Sequence, residues 1–123
     1  MEKLFIFHME DAELKKLKQI AGVLKIRTQT IDTADYLQTL GDLVSGKKNP
    51  LVSPYEGEIP EESLLLLCDF EDGRMDKLLL ALRRKQVRVD YKAILTPTNR
   101  SWNALRLMLE MKAEKAAYEK PAR

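Results

Sequence analysis

Four groups of residues in this chain carry side chains that could do chemistry. The acidic pairs Glu10-Asp11 and Glu71-Asp72, with Asp69 beside the second, each follow a short apolar run at a point where a helix begins. Asp69, Glu71 and Asp72 offer oxygen ligands for a divalent cation. The structural alternative is that such carboxylates cap helices and complement the positive end of the helix dipole. Recurrence of the pair in both halves of the chain fits that second role. The stretch Thr96-Pro97-Thr98-Asn99-Arg100-Ser101 gathers hydroxyls, helix-start amides and a guanidinium, with Lys92 just upstream. Lys92, Thr96, Thr98, Asn99 and Arg100 would together suit a small anion such as phosphate. Against this, the stretch lacks the glycines that let a phosphate loop approach closely. It also reads well as a turn stiffened by Pro97 and capped by Thr98 or Asn99.

The third group is Cys68 with His8, at nearly equivalent places after the two apolar runs. A nucleophilic pair requires a thiolate of lowered pKa in an open cleft. Cys68 instead continues the run Leu64–Leu67, and Asp69 beside it disfavours a thiolate, so it reads as core. The fourth is the sequence Leu78-Leu79-Leu80-Ala81-Leu82, five apolar residues in succession where one buried helix face needs fewer. Leu78, Leu79, Leu80 and Leu82 are therefore the candidate surface for self-association or a protein partner, unless the Met- and Leu-rich last helix covers them. The basic cluster Arg83-Arg84-Lys85 with Arg88 lacks interleaved aromatics and reads as a solvated helix end.

The elements that must position these groups follow from periodicity. Leu4–Phe7 and Ser63–Cys68 are continuous apolar runs, the pattern of strands buried on both faces. Lys25–Ile31 and Val87–Ala93 alternate, the pattern of half-exposed edge strands. Leu14, Leu17, Ala21 and Leu24 mark one helix behind an Asp11 N-cap. Tyr36, Leu37, Leu40 and Val44 mark a second, capped by Asp32 or Thr33 and ended by Ser45-Gly46. Met75, Leu78, Leu79 and Leu82 mark a third. The fourth runs through Trp102, Leu105, Met108, Leu109 and Met111, and from Lys112 onward its polar end is expected to fray.

Sliding the chain on itself by 61 residues gives six identities in 28 pairs, among them Leu4/Leu65, Glu10/Glu71, Asp11/Asp72 and Leu17/Leu78. Average composition would give about two, so an internal duplication of a βαβα unit is expected. The fold expected is α/β: one domain over residues 1–123, with two βαβα halves at 1–45 and 63–118 and a connector at 46–62. The four strands form one mostly parallel sheet of order 2-1-3-4 with helices on both faces. If the two central strands run parallel, a crevice opens at their shared carboxyl ends, lined by His8-Met9-Glu10 and Asp69-Phe70-Glu71. If they run antiparallel, the acidic ends point apart and the crevice is lost.

Composition bounds the function. The chain has 123 residues, 21 Lys+Arg against 19 Asp+Glu, one Cys and one His. A charge of +2 argues against a dedicated nucleic-acid binder, and the lone Cys and His exclude a disulfide scaffold or a Cys/His zinc site in one chain. Apolar runs of five residues or fewer are far short of a membrane span. The start Met1-Glu2-Lys3-Leu4 lacks a signal peptide's cationic start and apolar core, so a cytoplasmic setting is expected. The near-neutral total hides unlike parts. Residues 51–62 hold four Glu and no base, whereas residues 63–123 hold 13 Lys+Arg against eight Asp+Glu.

The string Lys92-Ala93-Ile94-Leu95-Thr96-Pro97-Thr98-Asn99, followed by Trp102 and preceded by the Leu78–Leu82 helix, is distinctive. It resembles an uncharacterised bacterial family, domain of unknown function 3783, over roughly residues 64 to 110. The resemblance implies a recognisable module in the second half and nothing about activity. In the first half, Ile31-Asp32-Thr33-Ala34-Asp35-Tyr36 has a cap and an aromatic but no Pro-Thr-Asn. From the sequence, then, the expected function is a non-enzymatic interaction or regulatory module that self-associates as a homodimer or takes a protein partner. No cofactor, nucleic acid or membrane is expected. A small anionic ligand at the Thr96–Arg100 turn is the second reading. An enzyme using the acidic residues or Cys68 ranks third, because no nucleophile, base and orienting group occur together.

Overall fold

The two apolar runs become the middle of one four-stranded sheet. In a computed structural model, which describes residues 2–119, the elements are β1 (Lys3–Phe7), α1 (Asp11–Leu24), β2 (Arg27–Thr30), α2 (Leu40–Ser45), β3 (Leu64–Cys68), α3 (Asp72–Arg84), β4 (Tyr91–Ile94) and α4 (Ala104–Glu119). Single 3-10 turns lie at Thr33–Asp35 and Asn99–Ser101. The strand order is β2-β1-β3-β4, as the apolar and alternating patterns predict. Every residue of β3 is buried, whereas β4 alternates buried and exposed. On one face, Leu4, Ile6, Leu65 and Leu67 pack under α1 and α3. On the other, Phe5, Phe7, Leu64, Leu66 and Cys68 pack under α2, α4 and Tyr36.

The outer pairs, β1 with β2 and β3 with β4, are parallel, but β1 and β3 run antiparallel, with Phe5 opposite Leu66. The carboxyl ends of the two central strands therefore lie at opposite ends of the sheet, and the crevice that a parallel pair would open between His8-Met9-Glu10 and Asp69-Phe70-Glu71 is not formed, as the antiparallel alternative requires. The second helix also departs from the expected one. Instead of one helix from Asp32 to Ser45, the chain makes a 3-10 turn over Thr33–Asp35 and an extended step. A six-residue helix follows, rising about 9 Å against the roughly 17 Å of a five-residue strand. The break is fixed by polar contacts. Asp32 accepts from the Ala34 amide, Thr39 caps α2 by accepting from the Asp42 amide, and Gln38, buried, exchanges hydrogen bonds with the Asn49 backbone at 3.0 and 2.8 Å.

Other expectations are adjusted locally. The N-cap of α1 is Glu10 rather than Asp11, and neither Glu10 nor Glu71 makes a side-chain cap bond. The fourth strand begins only at Tyr91, because Val87 and Val89 pack with the α1/α3 layer while Tyr91 and Ala93 join the other. Trp102 precedes α4 in extended conformation, its carbonyl accepting from the Leu40 amide. The polar end of α4 stays helical through Glu119, and Lys112 to Glu119 is exposed. Finally, α3 is covered by α1 and not by the last helix, which lies on the far side of the sheet.

The two halves correspond closely in backbone. All four non-glycine residues with positive φ among the described residues fall into pairs 61 apart: His8 (49°) with Asp69 (61°), and Lys25 (59°) with Gln86 (54°). Phe5 and Leu66, which face each other across the central pair, are also 61 apart. Between Gln86 and Tyr91 the second half carries three extra residues. Thr28 faces Leu4 where Lys92 faces Leu65, so the Arg27/Arg88 identity is not a structural equivalence. With that shift, Thr39 and Asn103 stand just before α2 and α4, and they pair with each other in an isolated bridge.

Candidate functional site

At the end of each central strand a left-handed residue, His8 or Asp69, turns the chain into the following helix. Asp69, Glu71 and Asp72 are all exposed there, at the opposite end of the sheet from Glu10 and Asp11. Among the described residues no group of three or more His, Cys, Asp or Glu is placed to hold a metal ion. Cys68 is buried in the α2/α4 layer opposite Lys3, whereas His8 follows Phe7 at the far end of the pair, so the two do not meet. Burial, and secondarily the Asp69 charge, push the Cys68 thiol up to about 12. It is a core side chain, and burial of this kind works against the thiolate that a nucleophile needs.

Two polar latches, unread in the sequence, hold the α1/α3 layer to the strand ends. Glu13 and Arg74 occupy equivalent positions in the two halves. Glu13 is buried and accepts from the Arg88 backbone amide at 2.6 Å, with Lys16 Nζ 3.0 Å from its other oxygen. The Arg88 amide first, then Lys16, hold its carboxyl below the usual glutamate range. Arg74 donates to the Leu24 carbonyl at 2.6 Å and to both oxygens of Glu2. One half thus captures a free amide with an anion, and the other a free helix-end carbonyl with a cation. The only hint in the sequence is that Glu13 sits four residues before Leu17, on the helix face that carries the core.

Beside the Glu13 latch lies a cavity of about 110 Å³ lined by polar side chains, including His8, Glu61, Ser63, Arg88 and Asp90. Two of its groups, Ser63 and Asp90, are spent on each other. The Ser63 amide and hydroxyl donate to the Asp90 carboxylate at 2.8 and 3.2 Å, and the Asp90 amide donates back to Ser63 Oγ at 3.0 Å. Only His8 Nδ1 is buried there without a partner. The cavity has room for a few water molecules.

The Thr96–Arg100 turn is closed by its own side chains. Asn99, buried, accepts from the Thr96 amide at 2.9 Å and donates to the Ile94 carbonyl at 2.9 Å, while its amide donates to Thr96 Oγ1 at 3.1 Å. Lys92, Thr96, Thr98 and Asn99 line one depression, whose opposite wall carries Glu110 and Glu114. Arg100 lies against a different one, with Gly41, Asp42 and Ser45. Its Cγ sits so near Gly41 that a Cβ there would approach to 3.0 Å. The five candidate anion ligands are therefore split four and one, and the larger group faces two carboxylates.

The apolar candidates divide differently. Leu78 and Leu82 are core, Leu79 is half-buried, and Leu80 is 44% exposed. Leu80 shares a groove of about 330 Å³ with Ile20, Val23, Leu24 and Ala81, between α1 and α3. Val23 is 82% exposed, a residue the periodicity of α1 did not single out. Lys77, Arg84 and Lys85 form the groove's charged walls. On the opposite side of the sheet, the end of the connector and α4 frame an open trough with Ile59 (53% exposed) and Leu109 (67%). Glu58 and Glu61 border it, and Glu62 is ion-paired with Lys112. No helix among the described residues is long and apolar enough to cross a membrane.

These features define a small mixed α/β domain with several exposed apolar side chains, Val23, Ile59, Leu80 and Leu109 among them. Residues 63–118 match the family described as Domain of unknown function (DUF3783), in agreement with the resemblance read from Lys92–Asn99 and Trp102. The match covers β3, α3, β4, the Asn99 turn and most of α4; the first half lies outside it. No curated protein and no solved structure matches the chain.

Proposed function

We propose that this chain is a non-enzymatic protein-interaction module that self-associates through the α1/α3 face. The observation that carries this reading is the pair Val23 and Leu80, exposed side by side over an apolar groove. Neither is needed to fill the core beneath, which Leu17, Ile20, Leu78 and Leu82 already complete. An apolar patch ringed by charge is the ordinary signature of an interaction surface. The enzyme reading loses support, since Cys68 and His8 are apart and the Cys68 thiol is buried. The anion reading loses support from the closed Asn99 turn. The paired positive-φ residues favour descent of the two halves from one duplicated βαβα unit, and the lone, buried Cys68 suits a reducing, cytoplasmic setting.

Multi-angle light scattering tests the reading. The wild type is expected to show a mass above 14.2 kDa that rises with concentration, and the double variant Val23→Glu/Leu80→Glu to show the monomer mass with an unchanged melting temperature. A wild type that stays monomeric, or a double variant that associates as well as the wild type, contradicts it.

A further inference from the structure

We infer that the occupant of the α1/α3 groove is the Ile59/Leu109 trough of a second copy, so that the chain assembles head to tail. The inference rests on the reading that the groove is an association surface, and it adds what fills it. The chain exposes two apolar patches of opposite charge. Val23 and Leu80 lie among Lys77, Arg84 and Lys85, whereas Ile59 and Leu109 lie beside Glu58 and Glu61. Groove against groove would bring two sets of cations together, and trough against trough two sets of glutamates; both arrangements are disfavoured by like-charge contact. Groove against trough buries apolar side chains from both partners and pairs the charges.

The two patches lie on opposite faces of the sheet, since α1 and α3 cover one face and α4 with the Tyr55 segment of the connector covers the other. One copy therefore cannot fill its own groove. The contact is heterologous, and it propagates into a ring or an open chain instead of closing as a twofold dimer.

Two blocked variants test this. Val23→Glu/Leu80→Glu disables the groove and leaves the trough; Ile59→Lys/Leu109→Lys disables the trough and leaves the groove. All four positions are exposed, and circular dichroism melts verify that both variants fold. Each alone is expected to be monomeric, with self-affinity weakened on the order of tenfold or more. Mixed, they are expected to form a 1:1 heterodimer that grows no further, because only one groove and one trough remain. If the trough variant associates like the wild type while the groove variant does not, the inference fails and the association reading stands. If the mixture stays monomeric, the inference fails as well. If the groove variant still associates, the reading beneath it fails. Charge reversal gives an independent arm: Glu58→Lys/Glu61→Lys should weaken assembly, and mixing it with Lys77→Glu/Arg84→Glu should restore assembly, the two variants alternating.

Discussion

Leu78 and Leu80 are two residues apart in one helix, and their roles are opposite. Leu78 is wholly buried against α1, so Leu78→Ala should cost about 2–5 kcal/mol of stability through lost contacts and the cavity left behind. Leu80→Ala should change stability by no more than about 0.5 kcal/mol and act on association instead. Urea denaturation of the two variants in parallel separates the roles. The run of five apolar residues signalled that some must be exposed, but which ones depends on where α1 crosses α3, and the run itself does not encode that. Asn99 shows the same limit. Its type and place suggested either a cap or a ligand, and three hydrogen bonds within the turn assign it to the turn. Asn99→Ala leaves the Thr96 amide and the Ile94 carbonyl without their partner and should cost about 1–3 kcal/mol, read from the urea midpoint. Glu13 ties a carboxylate to pH. Its folded-state pKa is depressed by the Arg88 amide and Lys16, so its contribution is present above the ordinary carboxylate pKa and is lost as pH falls through the lower folded value. The urea midpoint should accordingly drop between about pH 5 and about pH 3, and drop less steeply in Glu13→Gln.

At the scale of elements, the strands and long helices were legible because each has one dominant period: continuous apolar runs for β1 and β3, and a three-and-four spacing for α1 and α3. The segment Asp32–Ser45 does not form one helix, although Tyr36, Leu37 and Leu40 keep a helical spacing, because the backbone between them turns, bends at Gln38 and is extended at Thr39. Tyr36 packs on Phe7 and Tyr55, and Leu40 fills the α2 core; both are buried for reasons unrelated to a shared helix face. The direction of β3 against β1 was not legible, because two continuous apolar runs fit a parallel or an antiparallel central pair equally well. The ends of α1 and α3 offer a check on the correspondence of the halves. Lys25 and Gln86 hold left-handed backbone, where a side chain costs roughly 1–2 kcal/mol and glycine nothing. After allowance for glycine's greater unfolded-state entropy, Lys25→Gly and Gln86→Gly should each stabilise the fold by several tenths of a kcal/mol, up to about 1. Thermal denaturation should show two upward shifts of similar size. A shift in only one half would mean that the two turns are not energetically equivalent.

At the scale of the molecule, antiparallel β1 and β3 set the two halves back to back, so each end of the sheet carries one helix start and one latch. That arrangement dispersed the acidic residues that would have shared a crevice in a parallel sheet. It also put α1 and α3 on one face and α4 with the connector on the other. The charge imbalance seen in the sequence, an acidic connector beside a basic second half, is thereby spread over opposite faces: Lys77, Arg84 and Lys85 on one, Glu58 and Glu61 on the other. No spacing rule locates Val23 and Ile59 on those faces; they are exposed because of layer order, which only the tertiary arrangement sets. In the proposed assembly these faces bind each other in successive copies of the chain. Sedimentation velocity of the wild type at fixed concentration, from about 50 mM to about 0.5 M salt, tests it most directly, since screening shortens the reach of the charges from more than 10 Å to a few Å. Species larger than the monomer are expected at low salt, with a sedimentation coefficient that falls toward the monomer value as salt rises. A monomer at every salt concentration, or association that strengthens with salt, would contradict it.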